Sequence, residues 1–285
     1  MALIKTPSLD GRRVLITGAA RGIGAELAKR LHQRGARVAV AGLEPELLEQ
    51  VSAASGGGPW RECDVTDRQQ VEDAVDAAVE GLGGLDVVVA NAGVAAQLPL
   101  VGGNPRIMEQ TVAVNLMGVY YTLRAAGPHI SHENGYALPV SSLAAAAHAP
   151  MLGAYSASKA GVEALGNTLR AELLQTGAKV GVAYFAELDT DMTSRGFSTE
   201  AAGKMKFVAR QRVAPLKAGI DALERGIARR SRLVYAPRWV GPVLPIRMGA
   251  QLVVDRVGQM GLRKALETAR AEDAPLTTVQ PGEPR

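Results

Sequence analysis

The sequence predicts an α/β protein, a doubly wound parallel sheet with helices on both faces in a single domain, followed by a C-terminal helical extension. Three observations carry this. Short apolar, β-rich runs alternate with longer segments that repeat apolar residues at helical spacing. A glycine-rich turn joins the first run to the first helical segment. Of 285 residues, 47% are hydrophobic, enough for a large core without disulfides.

Val14-Leu15-Ile16 reads as a buried strand, and Ile23 to Gln33 as a helix with Ile23, Leu27, Ala28 and Leu31 on one face. Val38 to Ala41 is the second strand, and Cys63 lies at the end of another. Asp67 to Leu82 is helical, with Val71, Val75 and Val79 four apart and the acidic residues off that stripe. Leu85 to Ala90 and Ala137 to Val140 are strands, Ala154 to Thr176 a long helix, and Val180 to Tyr184 and Leu233 to Ala236 further strands. Strands alternating with helices pair in parallel, and right-handed crossovers cover both faces. Residues 1–240 are expected to form the nucleotide-binding and catalytic domain. Residues 241–285 differ in kind, with Pro242, Pro245, an amphipathic stretch and a polar tail expected to be disordered.

Composition narrows the function. The net charge is +4, with arginines gathered late at Arg229, Arg230, Arg232 and Arg238. This suits anionic ligands, but no nucleic-acid module is present. The one cysteine, Cys63, cannot form an internal disulfide and reads as structural. No apolar leader and no run of ~18 apolar residues occurs, so a cytoplasmic protein is expected. His32, His129 and His132 are too scattered for a metal site, and none is expected. His148 lies in a pocket-lining stretch and is more simply structural.

Thr17-Gly18-Ala19-Ala20-Arg21-Gly22-Ile23-Gly24 follows the first strand. Gly18 allows a tight turn, Gly22 lets the backbone approach a pyrophosphate, and Gly24 lets helix and strand pack closely. The helix starting near Ile23 aims free N–H groups and its positive dipole end at a phosphate. Farther on, Tyr155 and Lys159 are four apart at the start of a helix and share a face. A neighbouring ammonium favours phenolate and lowers the tyrosine pKa, so such a pair moves protons. Ser142, at the end of a strand, is placed to hydrogen-bond a substrate oxygen. No G-x-S-x-G elbow surrounds it, so a serine-hydrolase reading fails.

Taken together, these motifs resemble the short-chain dehydrogenase/reductase family, over roughly residues 10–240. The match rests on Thr17-Gly18-x-x-x-Gly22-x-Gly24, Asp64-Val65, Asn91-Ala92-Gly93, Asn115, Ser142 and Tyr155-x-x-x-Lys159. The resemblance implies a Rossmann-like sheet of about seven strands. It implies Tyr155 as general acid/base, Lys159 on the nicotinamide ribose and tuning the tyrosine, Ser142 polarising a carbonyl, and Asn115 anchoring a relay water. Thr17, Gly18, Arg21, Gly22, Ile23, Gly24, Asp64, Val65, Asn91, Ala92, Gly93 and Thr190 join Tyr155 and Lys159 as cofactor-binding residues. It also implies a small carbonyl or alcohol substrate, lipophilic ones included, and a homodimer or homotetramer. Met151 and residues 193–212 are expected to form a substrate lid.

Three departures from the family pattern stand out. Phe185-Ala186 replaces the usual Pro-Gly after the sixth strand, bringing Glu187 near the nicotinamide ring, where it is expected to point to solvent, the alternative being that it helps select a polar or cationic substrate. Gly42 replaces the acidic residue that selects NAD, and Arg21 could pair with a 2′-phosphate, so NADP is the expected cofactor with NAD the alternative. Glu44 could reach the ribose and reverse that. The C-terminal segment could cap the site, pack on a second subunit, or lie on a membrane, the last being the lesser expectation. A catalytically lapsed dinucleotide-binding regulator, and a dehydratase or epimerase on the same fold, remain alternatives to the oxidoreductase.

Overall fold

The computed structural model describes residues 7–197, 199–205, 213–272 and 274–277. Six strands form a parallel sheet: β1 (Arg13–Thr17), β2 (Arg37–Gly42), β3 (Trp60–Glu62), β4 (Val87–Ala90), β5 (Tyr136–Pro139) and β6 (Lys179–Val180), in the order β3-β2-β1-β4-β5-β6. β7 (Val182–Phe185) pairs in parallel with β8 (Leu233–Ala236). The expected sixth strand is therefore broken at Gly181. A Cβ there would fall 2.2 Å from the Tyr136 hydroxyl and 2.3 Å from the Ser231 carbonyl oxygen, which that hydroxyl bonds at 2.7 Å. Beyond the break the ladder resumes, since Ser141 N donates to Ala183 O at 2.8 Å. The sheet thus has six strands where about seven were expected, and the β7–β8 ladder carries on beyond Gly181, whose N–H still bonds Ala137 O at 2.9 Å.

Alternation along each strand feeds two cores. Val14 and Ile16 point to one face, where Leu27, Leu31, Leu223 and Ile227 meet them. Leu15 points to the other, with Val75, Val88, Leu123 and Val162. The first face carries α1 (Gly22–Gln33), α2 (Pro45–Ala54) and α9 (Leu216–Arg229). The second carries α3 (Arg68–Leu82), α5 (Gly118–Ile130) and α6 (Gly153–Glu172). Local chemistry fixes the helix ends. Asp67 caps α3 by accepting from Gln69 N and Gln70 N, and Gly83 ends it in the left-handed region at φ 72°. Asn104 caps α4 (Pro105–Val112), with Pro105 in its first turn. The long helix expected to Thr176 stops at Glu172 and closes with a 3-10 turn at Leu174–Thr176.

Residues 193–212, expected as a loop-like lid, are partly helical: α7 (Asp191–Phe197) and α8 (Glu200–Lys204). Residues 206–212 lie outside the described residues, as do residues 278–285, where the disordered tail was expected. After β8 the described chain is helical: α10 (Val240–Val243), α11 (Arg247–Gly258) and α12 (Leu262–Glu272). No helix among the described residues is long and apolar enough to cross a membrane.

Candidate active site

The strand order reverses between β1 and β4, which opens a crevice at their carboxyl ends. The glycine turn lies there. Gly18 adopts φ +64°, and a Cβ on it would lie 2.5 Å from Ala92 Cα. A Cβ on Gly24 would lie 2.4 Å from Gly18 O and 2.8 Å from Asn91 Nδ2. These contacts let β1, α1 and the Asn91-Ala92-Gly93 segment converge. Asn91 fixes the arrangement: its Nδ2 donates to Thr17 O at 3.1 Å and Gly18 O at 3.0 Å, while Thr17 Oγ1 accepts from Asn91 N at 3.2 Å. No side chain caps α1, so its first N–H groups and dipole face the crevice. An uncapped helix start under a glycine cradle fits a pyrophosphate.

One cleft of about 840 Å³ joins this cradle to the other implicated residues. Gly18, Arg21, Gly22, Ile23, Asp64, Val65, Asn91, Ala92, Gly93, Ser142, Tyr155, Lys159 and Thr190 all line it. Thr17, Gly24 and Asn115 do not; all three are buried behind it as supports. Asn115 sits in a π-helical turn, Ala113–Met117, between α4 and α5. Its side chain pairs with both polar groups of the Val94 backbone, at 2.8 and 2.9 Å, and donates to Ser158 Oγ at 3.1 Å. Ser158, not foreseen from sequence, links back by bonding Tyr155 O at 2.8 Å.

Tyr155 and Lys159 project from the first turns of α6. Lys159 Nζ donates to Val140 O at 2.9 Å and lies 5.7 Å from the centre of the Tyr155 ring. Burial lowers its pKa from 10.5 to about 8. The Tyr155 phenol is raised: burial is the largest cause, the Ser142 hydroxyl works against it by hydrogen bonding, and the Glu187 charge adds to it. Lys159 is expected to favour the phenolate; the net direction is upward because desolvation of the phenolate dominates. Ser142 donates to Phe185 O at 3.2 Å and accepts from Ala144 N at 3.1 Å. Phe185-Ala186 leaves the backbone regular, with Ala186 N donating to Ala236 O at 3.0 Å. Glu187 lines the cleft beside Tyr155.

At the opposite end, Arg21 is bound by Glu44 in a two-point ion pair, and its Nη1 lies 4.0 Å from Asp191. Gly42 and Glu44 line this end, as does Cys63, whose thiol burial pushes up to about 12 and so keeps un-ionised. His148 is exposed and outside the lining; its backbone bonds Gln251 of α11 at 2.7 and 3.1 Å. Met151 lines the cleft at φ 66°, a strained conformation for a side chain of its size, held where Leu98 N donates to Met151 O at 2.7 Å. The C-terminal segment also reaches the cleft, through α11 and residues 274–277, which the sequence left among three possible placements.

The reversed strand order over an uncapped helix start places the chain among α/β proteins with a nucleotide-type crevice. Comparison with known proteins narrows this to one family. The chain belongs to the short-chain dehydrogenases: the family model described as short chain dehydrogenase matches residues 12–201. It is an oxidoreductase of that family. It is similar to D-threitol dehydrogenase of Mycolicibacterium smegmatis, 37% identical over 60% of this chain and 68% of that one. Secoisolariciresinol dehydrogenase of Forsythia intermedia is 36% identical over 60% of this chain and 64% of that one. Glycine betaine reductase of Emericella nidulans is 36% identical over 70% of this chain, but the match spans only 16% of that much longer protein. Among solved structures, a dehydrogenase/reductase from Sinorhizobium meliloti superposes with a TM-score of 0.71 at 26% identity, covering 80% of this chain and 95% of that one.

Proposed function

We propose that the protein interconverts a carbonyl and a secondary alcohol with a nicotinamide dinucleotide, using Tyr155 as general acid/base. The observation that carries this is the meeting of Ser142, Tyr155 and Lys159 in the same cleft as the glycine cradle. The bound nicotinamide supplies or accepts the hydride. Ser142, at the end of β5, orients the substrate oxygen beside the Tyr155 phenol. The raised phenol pKa keeps Tyr155 protonated at neutral pH, ready to donate to a carbonyl oxygen as it is reduced. Lys159, with a pKa near 8, still carries its charge at neutral pH and binds ribose hydroxyls while favouring phenolate in the reverse direction. Asn115 holds the Val94 backbone and Ser158, and through them the start of α6. Dehydrogenases named for threitol and secoisolariciresinol are consistent with chemistry at a CH–OH group.

For the dinucleotide, the Arg21–Glu44 pair turns the reading from NADP toward NAD(H). Arg21 is already neutralised by Glu44 and faces Asp191, while Asp64 lines the same end of the cleft. A 2′-phosphate there would meet three carboxylates and one engaged guanidinium, whereas a 2′-hydroxyl can donate to Glu44. The test is calorimetric binding of both dinucleotides, together with Tyr155→Phe. The substitution is expected to leave dinucleotide affinity within twofold and to lower kcat by about 10²–10⁴. Undiminished turnover by the variant would remove Tyr155 from its role, and binding of neither dinucleotide would sink the reading as a whole.

A further inference from the structure

The half of the cleft beyond Tyr155 is walled on its outer side by the C-terminal segment. Val253 and Val257 of α11 and Leu276 of the strap that follows α12 line it together with Leu143, Met151 and Met205, the two methionines packing on α12 at Ala265 and Ala269. The strap is held at both ends of its last residue. Thr277 N donates to Ala95 O at 2.8 Å, Thr277 Oγ1 accepts from Ala95 N at 3.0 Å, and Arg195 Nη1 donates to Thr277 O at 2.8 Å. Glu272 fixes α12 to the start of α8 by accepting from Glu200 N at 3.0 Å and Ala201 N at 3.1 Å. Leu276 and Thr277 are buried at 5% and 6% exposure.

Among the described residues, polar side chains of this half are engaged within the protein. Thr277, Arg195 and Glu272 hold the strap and α8, and Thr199 Oγ1 bonds Gln97 Oε1 at 3.0 Å. Glu187 stands at the Tyr155 end, where its charge acts on the phenol. What the described residues of the chamber offer a substrate body is therefore mainly branched aliphatic and thioether surface. A polyol bound there would lose its water without gaining partners, which costs roughly 1–3 kcal/mol per stranded group. An alkyl body gains with each methylene. The methionines at 151 and 205 add adaptable, polarizable walls.

We infer that the substrate is an apolar secondary alcohol or ketone with an extended aliphatic or alicyclic body, and that α11 and the 274–277 strap set this preference. The inference rests on the oxidoreductase reading only for the reacting carbonyl; the apolar chamber is independent of it. The test uses the full chain saturated with whichever oxidised dinucleotide it binds, a state with no hydride to give. Methyl ketones from 2-butanone to 2-decanone are titrated calorimetrically, with threitol as the polar comparator; if neither dinucleotide binds, the series is run on the free protein. Affinity is expected to rise two- to fourfold per methylene over at least four carbons, as burial of ~0.8 kcal/mol per CH₂ implies, with no measurable threitol binding. Val257→Asp is expected to flatten the series while leaving dinucleotide affinity unchanged. A flat wild-type series, or threitol binding tighter than the ketones, overturns the inference. Turnover is then assayed separately with reduced dinucleotide. A steep binding series without turnover would leave the apolar chamber standing and refute the proposed reaction. Turnover of threitol without alkyl gain would do the reverse.

Discussion

The Arg21–Glu44 pair gives the most direct handle on dinucleotide choice. In Glu44→Gln the guanidinium loses its two-point partner and the adenosine end of the cleft loses one negative charge, while shape is nearly kept. Two unit charges ~4 Å apart interact by about 1 kcal/mol in bulk water and about 4 kcal/mol at an effective dielectric of ~20. Arg21 and Glu44 are 38% and 25% exposed on their side chains, so solvent screening places the effect toward the lower part of that range. A 2′-phosphate is affected twice, by the lost repulsion and by the released Arg21. About 2 kcal/mol in favour of NADP(H) relative to NAD(H) is the reasonable sum, a roughly 30-fold change in the ratio of dissociation constants. NAD(H) affinity should fall as well if Glu44 accepts from the ribose. Stability should change by less than about 1 kcal/mol, since the pair is partly exposed. The assay is calorimetric titration of both dinucleotides on wild type and variant at two salt concentrations. The change in ratio should shrink at high salt. A ratio that moves less than threefold would refute the placement of Glu44 beside the 2′-position.

Other outcomes follow from named contacts. Gly24→Ala puts a methyl 2.4 Å from Gly18 O and 2.8 Å from Ala19 Cα, so it should cost about 1–3 kcal/mol of stability and weaken dinucleotide binding at least tenfold, read by thermal melting and calorimetry. Unchanged melting and binding would mean that this packing relaxes freely. Asp86 is bound by Arg13 Nε at 3.0 Å, Nη2 at 2.7 Å and the Arg13 N–H at 2.9 Å; burial pushes its pKa up, but these bonds and the Arg13 charge outweigh that and hold it below the usual carboxylate value. A lowered folded pKa stabilises above the unfolded value and is lost as pH falls through the folded one. Asp86→Asn should therefore cost about 1–3 kcal/mol at pH 7, and denaturant melts should show the gap closing below about pH 4. Lys159 is opposite in sign. Its folded pKa, near 8, lies below its unfolded 10.5, so burial of its charge destabilises fully below about pH 8 and is relieved as pH rises toward 10.5. Relative to Lys159→Met, wild-type stability should gain between pH 7 and 10, and a constant difference would contradict the burial of that ammonium. In catalysis, ketone reduction should fall and alcohol oxidation rise with pH as Tyr155 ionises, a trend that stopped-flow rates in both directions would show or deny.

The sequence by itself determined what short-range rules enforce. Strand–helix alternation with β-branched runs specifies a parallel sheet because each strand needs both faces covered. The glycines at 18, 22 and 24 specify a cradle because only they accept the backbone geometry and close approach seen there. Tyr155 and Lys159 share a cleft because they are one helical turn apart. The remainder was decided by contacts between residues remote in sequence. Glu44 engages Arg21 from 23 residues away, and no periodicity records which of several nearby carboxylates an arginine will choose. Asn115 reaches Val94 and Ser158 from a π-helical turn, and nothing in Ala113–Met117 marks that turn. Tyr136 reaches over Gly181 to Ser231 O where the sixth strand is interrupted, and Phe185-Ala186 keeps a regular backbone without Pro-Gly. Whether the C-terminal segment caps, dimerises or meets a membrane depends on which apolar surface the finished sheet leaves open. Hydrophobic burial has no direction of its own, so only the tertiary structure could lay α11 and the Thr277 strap across the cleft.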